Sequence, residues 1–255
     1  MEETRFSMSV ATSTPLEVGG DPFASHKLSM RRIPALDGLR AVAILGVLVF
    51  HTLPRVLPSG FTGVDVFYVL SGFLIASVIL HDLRNAEFST REFYLRRCQR
   101  LLPNAVVMAT FTAVAAMIFF APYKAHATAQ NALYALFEGS NFFILSHFGG
   151  YWGDSAASAP LLHTWSLSVE EQFYMFFPLI LLLFARHARR LTLPLTFLAC
   201  GSFFLCIVAH RNHAEFAFYM LPTRTWEPLM GAAFAAYIVP ASHSQPPSVI
   251  TQKRP

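Results

Sequence analysis

The chain has 255 residues, of which 54% are hydrophobic and 13% charged, whereas an ordinary soluble domain is about a quarter charged. Its apolar residues form runs of roughly 20, the length that a helix needs to cross a bilayer, which excludes a soluble domain and predicts an all-α, polytopic transmembrane helix bundle. The formal net charge of +4 comes from short arginine clusters between these runs, which excludes a nucleic-acid surface and favours contact with membrane lipid.

In chain order, residues 1–30 are polar and lack periodicity, which predicts a disordered cytoplasmic tail. The membrane region follows over residues 31–240, and residues 241–255 form a polar, proline-bearing tail. Hydropathy predicts six spans within the membrane region: Ile33–Leu53, Phe61–Leu80, Leu101–Ala121, Trp165–Phe184, Leu191–His210 and Phe216–Val239.

The arginines between these spans predict the topology. They cluster before the first span, between the second and third, and between the fourth and fifth: Arg31, Arg32; Arg84, Arg91, Arg96, Arg97, Arg100; Arg186, Arg189, Arg190. Because basic loops stay in the cytoplasm, the N-terminus is predicted to be cytoplasmic. A seventh apolar stretch, Ala132–Phe148, is short and interrupted by Glu138 and Asn141. A full crossing there would put the Arg186 cluster outside, so this segment is predicted to be re-entrant or interfacial.

Charged residues and histidines inside the predicted spans are candidate functional groups, because a charge in lipid is costly. They are Asp37, Arg40, His51, Asp65, Glu170, Glu171, Arg224 and Glu227. The predicted orientation places His51, Asp65 and Glu170 in the same outer third of the membrane. A histidine beside a carboxylate suits general-base catalysis. The alternative is an interfacial histidine bonded to water or to a backbone carbonyl.

Residues three apart share a helix face. Arg97 and Arg100 have this spacing, and paired guanidiniums suit phosphate, although plain anchoring at the membrane surface explains the cluster equally. The same spacing predicts structural ion pairs for Arg224 with Glu227 and for Asp37 with Arg40.

Other polar positions are less informative. Two interpretations stay open for four of them, the lining of an acceptor entrance or an ordinary polar loop: Asn141, Tyr151, Asp154 and His163. The three cysteines, Cys98, Cys200 and Cys206, show no spacing that indicates a metal site or a disulfide.

Five stretches in this order resemble the acyltransferase-3 family of membrane proteins, which includes the O-antigen O-acetyltransferases. They are RIPALDGLRAVAILGVLVFH, GFTGVDVFYVLSGFLI, FYLRRCQRLLP, APLLHTWSLSVEEQFYMFFP and FYMLPTRTWEPLMGA. The resemblance implies a bacterial inner-membrane enzyme that moves an acyl group from cytoplasmic acyl-CoA, by expectation acetyl-CoA, to a glycan or lipid-linked saccharide outside. It implies that Arg40 and His51, Arg97 and Arg100, and Glu170 correspond to functional residues of the family. Family members usually look like ten spans, so a truncated chain is also expected.

The resulting hypothesis is that His51, aided by Asp65 or Glu170, deprotonates the acceptor hydroxyl as it attacks the thioester. Arg40, Arg97 and Arg100, with the adjacent Arg96, would hold the donor's phosphates. Three alternatives stay open: a proton-coupled secondary transporter or flippase, an inactive fragment of the acyltransferase, and a haem protein with ligands from His51, His163 or His210.

Overall fold

The computed structural model describes residues 34–148, 159–187 and 190–238, without the side chains of residues 186 and 187. The predicted tails at 1–30 and 241–255 lie outside the described residues, as do Arg31, Arg32, Arg189, Tyr151 and Asp154.

All regular secondary structure in these ranges is helical. The α-helices are α1 (Pro34–Thr52), α2 (Gly63–Arg84), α3 (Thr90–Phe119), α4 (Pro122–Leu136), α5 (Ser140–Phe148), α6 (Thr164–His187), α7 (Thr192–Asn212), α8 (Ala214–Tyr219), α9 (Leu221–Arg224) and α10 (Trp226–Ile238). A 3₁₀ turn, Gly60–Thr62, leads into α2.

Five helical segments are long and apolar enough to cross a membrane: Pro34–Thr52, Gly60–Arg84, Thr90–Phe119, Thr164–Ala185 and Thr192–Asn212. They coincide with the first five predicted spans, which confirms the all-α, polytopic membrane bundle. The protein is therefore a multi-pass membrane protein.

The sixth predicted span, Phe216–Val239, is wrong as one continuous helix, because the chain there forms α8, α9 and α10. Met220 adopts an extended backbone (φ −94°, ψ 140°), and Pro222 is the second residue of α9. Proline has no N–H to donate and its ring collides with the carbonyl four residues earlier, which favours a break or a kink. Pro103 and Pro178 lie inside continuous helices, so the break also depends on the tertiary partners of this segment. Ser202 of α7 satisfies groups that the break leaves unpaired, donating to the Pro222 carbonyl (2.7 Å) and accepting from the Trp226 N–H (2.9 Å).

The segment predicted to be re-entrant is a hairpin of two helices, α4 and α5, joined by residues 137–139. Glu138 in this turn has a positive φ of 53°. Helices of 15 and 9 residues are about 22 and 14 Å long, too short to cross the bilayer. Gln172 of α6 donates to the Glu138 carbonyl (2.6 Å) and to Asn141 Oδ1 (2.9 Å), which fixes the turn against α6.

The most extensive helix packing joins α2 to α10. It depends on glycine, since a Cβ at Gly72 would lie 1.9 Å from the Pro228 carbonyl oxygen and one at Gly231 would lie 1.9 Å from that of Val69. This close approach holds the broken helix α8–α10 beside α2 and so brings Arg224 next to the polar residues of α2.

Candidate active site

A chain of hydrogen bonds joins α1, α2 and α6 inside the bundle. Arg40 Nη2 donates to Ser71 Oγ (3.3 Å), and Ser71 donates to Glu170 Oε1 in a short hydrogen bond. The Tyr174 hydroxyl donates to the same carboxylate oxygen (2.8 Å). Ser71, Glu170 and Tyr174 are all buried, so these bonds satisfy groups that would otherwise be costly to place in the interior.

Arg97 of α3 contacts the ring of Tyr174. Its guanidinium carbon lies 3.5 Å from the centre of the Tyr174 ring. Its Nε donates to Glu171 Oε2 (2.6 Å), and Nη2 makes a second, shorter bond to Glu171 Oε1. The two predicted donor-binding arginines, Arg40 and Arg97, are therefore linked through Glu170 and Tyr174.

A second charged cluster surrounds Arg224 at the break in the last segment. Arg224 pairs with Asp65 of α2 (2.8 Å) and with Glu227 (3.3 Å). Its guanidinium also lies 5.2–5.7 Å from the ring centres of Tyr68, Trp165 and Phe218, close enough for cation–π attraction. The predicted pair of Arg224 with Glu227 is confirmed, and its connection to Asp65 is new.

The predicted ion pair between Asp37 and Arg40 is wrong. Asp37 is exposed, and the guanidinium of Arg40 donates to Ser71 instead. Within the described part of the chain, the buried Nε of Arg40 has no hydrogen-bond partner. The buried Nε of Arg224 has none either, so what distinguishes Arg40 is that it contacts a hydroxyl and not a carboxylate.

A small cavity lies between the two clusters. Its walls combine polar and apolar side chains: Tyr68, Ser71, Val169, Glu170, Phe173, Leu221, Arg224 and Pro228. Both clusters therefore border one space between α2, α6 and the broken segment.

His51 lies at the exposed end of α1, where its Nδ1 is 2.8 Å from the Val47 carbonyl oxygen. A carbonyl only accepts hydrogen bonds, so in the neutral ring Nδ1 carries the proton and Nε2 is the basic nitrogen. This contact also matches the alternative of an interfacial histidine bonded to a backbone carbonyl, and in it Nε2 is the nitrogen able to accept a proton.

The structure does not bring His51 together with Asp65 or Glu170. Gly63, at the start of α2, packs against the Ala43 carbonyl, which fixes the register of α1 and α2. Counting 1.5 Å per residue from this contact, His51 lies about 15 Å along the axis from Asp65 and about 24 Å from the level of Ser71 and Glu170. The two carboxylates are instead engaged by Arg224 and by Ser71 and Tyr174.

The remaining predicted arginines lie near the start of α3, at the end of the bundle opposite His51. Arg100 is exposed. Arg96 is also exposed, and its contact with Glu92 is 3.5 Å. Since Arg97 is bound to Glu171, these two exposed arginines are the more accessible guanidiniums of the predicted cluster.

The residues proposed for an acceptor entrance separate into two environments. Asn141 is fully buried and donates to the Tyr219 carbonyl (3.1 Å), which is a structural role. His163 precedes α6, and partial burial lowers its pKa, with a further contribution from the nearby His51. His163 therefore lies within electrostatic range of His51.

Ser71 and Tyr174 were not predicted as site residues. The one available signal for Tyr174 was its position four residues after Glu170, which places both on one face of α6. Ser71 offered no such signal, because its partner Glu170 lies 99 positions away.

The fold and the two arginine–carboxylate clusters define a multi-pass membrane protein with charged side chains in its interior. Residues 33–250 match the model of the acyltransferase-3 family, described as an acyltransferase domain. Because this match covers most of the chain, the protein belongs to the acyltransferase-3 family.

Curated relatives agree. The chain is 35% identical over 217 residues to the putative peptidoglycan O-acetyltransferase YrhL of Bacillus subtilis (strain 168), covering 82% of this chain and 34% of that protein. It is 37% identical over 189 residues to the O-acetyltransferase OatA of Staphylococcus aureus (strain NCTC 8325 / PS 47), covering 71% of this chain and 30% of that protein.

The chain thus spans about a third of the length of these relatives. Their names mention peptidoglycan or O-acetyl transfer, and the narrower expectation of an O-antigen enzyme finds no support in them. No solved structure matches the chain.

Proposed function

We propose that this chain serves membrane-bound O-acyl transfer, moving an acyl group from cytoplasmic acyl-CoA to a hydroxyl of an extracytoplasmic glycan. Membership of the acyltransferase-3 family supports this reaction class, and the relatives' names support acetyl as the acyl group. The name of the Bacillus subtilis relative favours peptidoglycan as the acceptor. The proposed location is the bacterial inner membrane with the N-terminus in the cytoplasm, following the distribution of arginines.

The observation that carries the proposal is the state of His51. Its Nδ1 donates to the Val47 carbonyl of its own helix, so Nε2 is the basic nitrogen of the neutral ring at the end where the glycan would arrive. Nε2 takes the proton of the acceptor hydroxyl while that oxygen attacks the thioester carbonyl carbon. A carbon–oxygen bond forms, the carbon–sulfur bond breaks, and the leaving thiolate takes up the proton from the imidazolium.

The donor side of the proposal rests on the guanidiniums at the other end. The exposed Arg100 and Arg96 suit the phosphates of CoA. Arg40 lies deeper, with an unsatisfied Nε, and suits a polar group of the donor within the bundle. His51 acts without Asp65 or Glu170 as a partner, because Asp65 binds Arg224 and Glu170 binds Ser71 and Tyr174.

The test uses membranes that contain the full chain, labelled acetyl-CoA, and peptidoglycan fragments as the acceptor. Label is expected in the glycan, and His51→Gln is expected to lower the rate by at least about a hundredfold. His210→Gln is a matched control, since His210 is another exposed histidine near a helix end. Retention of most activity by His51→Gln would refute the catalytic role of His51.

The same assay distinguishes an acyltransferase from a transporter, the alternative that the comparisons do not favour. A transporter would leave the glycan unlabelled while moving a solute or protons across the membrane. Absence of transfer, together with absence of CoA binding, would overturn the proposed reaction for this chain.

A further inference from the structure

We infer that Ser71 and Tyr174 are positioning residues for the acyl-CoA donor: they use the buried Glu170 carboxylate to fix the guanidinium of Arg40. This inference rests on the proposed function and adds to it two residues that it does not otherwise require. It also changes the role of Glu170 from a base toward the acceptor to an anchor on the donor side.

The first step is the hydrogen bonding of Ser71. A serine hydroxyl has one proton, and here it goes to Glu170, while the oxygen accepts from Arg40 Nη2 (3.3 Å). These two hydrogen bonds, to Glu170 and from Arg40, fix the orientation of the Ser71 hydroxyl. Since Ser71 is 1% exposed, water does not compete for either bond.

The second step concerns Tyr174, which acts on both predicted donor-binding arginines. Its hydroxyl holds the Glu170 oxygen that Ser71 also uses (2.8 Å). The guanidinium carbon of Arg97 lies over the Tyr174 ring, 3.5 Å from the ring centre. Tyr174 therefore contacts both the Glu170 carboxylate, which fixes Arg40 through Ser71, and the guanidinium of Arg97.

The third step compares the arginines by what they still offer a ligand. Arg97 makes two hydrogen bonds to Glu171, so a phosphate would have to compete with that carboxylate. Arg40 contacts a neutral hydroxyl, and its buried Nε has no partner among the described residues. Arg40 is held in place without its hydrogen-bonding capacity being used up, as a preorganised ligand-binding group requires.

The test measures binding of acetyl-CoA to the full chain in lipid nanodiscs. Ser71→Ala is expected to weaken binding about tenfold, because a hydrogen bond to a charged group is lost on each side of the hydroxyl. Tyr174→Phe keeps the ring beneath Arg97 and loses the bond to Glu170, so a smaller loss of about three- to tenfold is expected. It also provides a second variant should Ser71→Ala fold poorly.

Two controls match these changes. Ser77→Ala removes a buried serine of the same helix whose hydroxyl donates only to the carbonyl of its own helix, at Phe73 (2.7 Å). Tyr94→Phe removes a hydroxyl that donates to a backbone carbonyl, that of Met175 (2.6 Å). Both are expected to bind acetyl-CoA as the unaltered chain does.

A double-mutant cycle separates positioning from general support of the fold. If Ser71 acts through Arg40, Ser71→Ala has no further effect once Arg40→Ala is present. A structural role would instead give the same loss in both backgrounds. Glu170→Gln supplies a second discrimination, because its amide oxygen still accepts both hydrogen bonds. Binding within about threefold of the unaltered chain is expected, whereas Glu170→Ala loses binding as Ser71→Ala does.

The outcomes are distinguishable. If the unaltered chain does not bind acetyl-CoA, the proposed donor is overturned, and this inference with it. If the chain binds and Arg40→Ala weakens binding, but Ser71→Ala and Tyr174→Phe do not, this inference alone is overturned. Equal losses in the two backgrounds of the cycle would overturn it as well.

Discussion

Replacing Gly231 by alanine should loosen the packing of α2 against α10. The added Cβ would lie 1.9 Å from the Val69 carbonyl oxygen, 2.7 Å from the Phe73 nitrogen and 2.9 Å from the Val69 carbonyl carbon. All three are backbone atoms, which cannot rotate away as a side chain would. The two helices must therefore move apart by about 1.5 Å for the closest contact to reach an ordinary 3.4 Å.

The expected cost exceeds the gain from a better helix former. Overpacking a well-packed interior costs about 1–3 kcal/mol, and a gap of even 0.5–1 Å forfeits about a quarter to a half of each dispersion contact. Buried residues along this interface, such as Ala76, Leu229 and Ala232, would lose such contacts together. Alanine in place of glycine returns up to about 1 kcal/mol of helix propensity, so a net loss of roughly 1–2 kcal/mol or more is expected.

The assay is thermal unfolding of the full chain in one detergent, followed by tryptophan fluorescence. Trp226 opens α10 and lies edge-on to Phe203 of α7, with 5.1 Å between ring centroids, so its fluorescence reports on the packing of α10. Gly201→Ala is the matched control, because a Cβ there meets nothing within 4 Å, and it should stabilise the protein slightly. A melting temperature for Gly231→Ala equal to or above that of Gly201→Ala would refute the close approach of α2 and α10.

Two further predictions concern charged residues. Burial raises the pKa of the Glu138 carboxyl, in the turn between α4 and α5, to about 7, and the nearby Glu171 adds to this while Arg97 opposes it. The folded state therefore binds this proton more tightly than the unfolded chain, so stability is greatest at low pH and falls as the pH rises through about 7. Between about pH 5 and pH 8, melts should show the free energy of unfolding falling by roughly 1–2 kcal/mol, a figure already reduced for the partial exposure of Glu138. Glu138→Gln should abolish this pH dependence. A variant with the same pH dependence as the unaltered chain would contradict the prediction. Arg224→Ala leaves the buried Glu227 uncompensated and should cost about 3–5 kcal/mol in the same melts, much of it recovered by adding Glu227→Gln, whereas a melt like that of the unaltered chain would show that the pair is not buried.

The long spans were predictable because hydropathy over about 20 residues depends only on local composition. The boundaries were less so, as α3 begins at Thr90 although the third span was predicted from Leu101. Ser89 accepts from the Glu92 N–H (3.4 Å), and serine followed three residues later by glutamate is a known signal for a helix start. That signal was present in the sequence, but a search for apolar runs ignores it.

The break in the last segment had a local signal as well, in Pro222 and Pro228. Apolar composition over Phe216–Val239 favoured one span, whereas proline chemistry favoured a break. The break occurs where Ser202, on another helix, replaces the missing hydrogen bonds, and no local pattern contains that partner.

Ion pairing shows the same limit of local reasoning. A spacing of three correctly predicted Arg224 with Glu227 and wrongly predicted Asp37 with Arg40. The difference lies in tertiary partners, because Asp65 reaches Arg224 from 159 residues away and Ser71 takes Arg40 from 31 residues away. Spacing on one helix shows which side chains are able to meet, whereas packing decides which of them do.

The contrast between the arginines of the bundle suggests how a membrane protein separates structural from ligand-binding cations. The guanidiniums of Arg40, Arg97 and Arg224 all lie over aromatic rings, that of Arg40 5.0 Å from the Phe67 ring centre. Arg97 and Arg224 also bind carboxylates, which offsets the cost of placing them in the interior. Arg40 contacts no carboxylate directly among the described residues and is held by a hydroxyl. A guanidinium paired with a carboxylate must give up that partner before it binds an anion, whereas one held by a hydroxyl need not. Replacement by lysine removes the planar guanidinium. Arg40→Lys should therefore weaken donor binding more than Arg97→Lys does. A greater loss for Arg97→Lys would show that the donor binds Arg97, the arginine paired with a carboxylate.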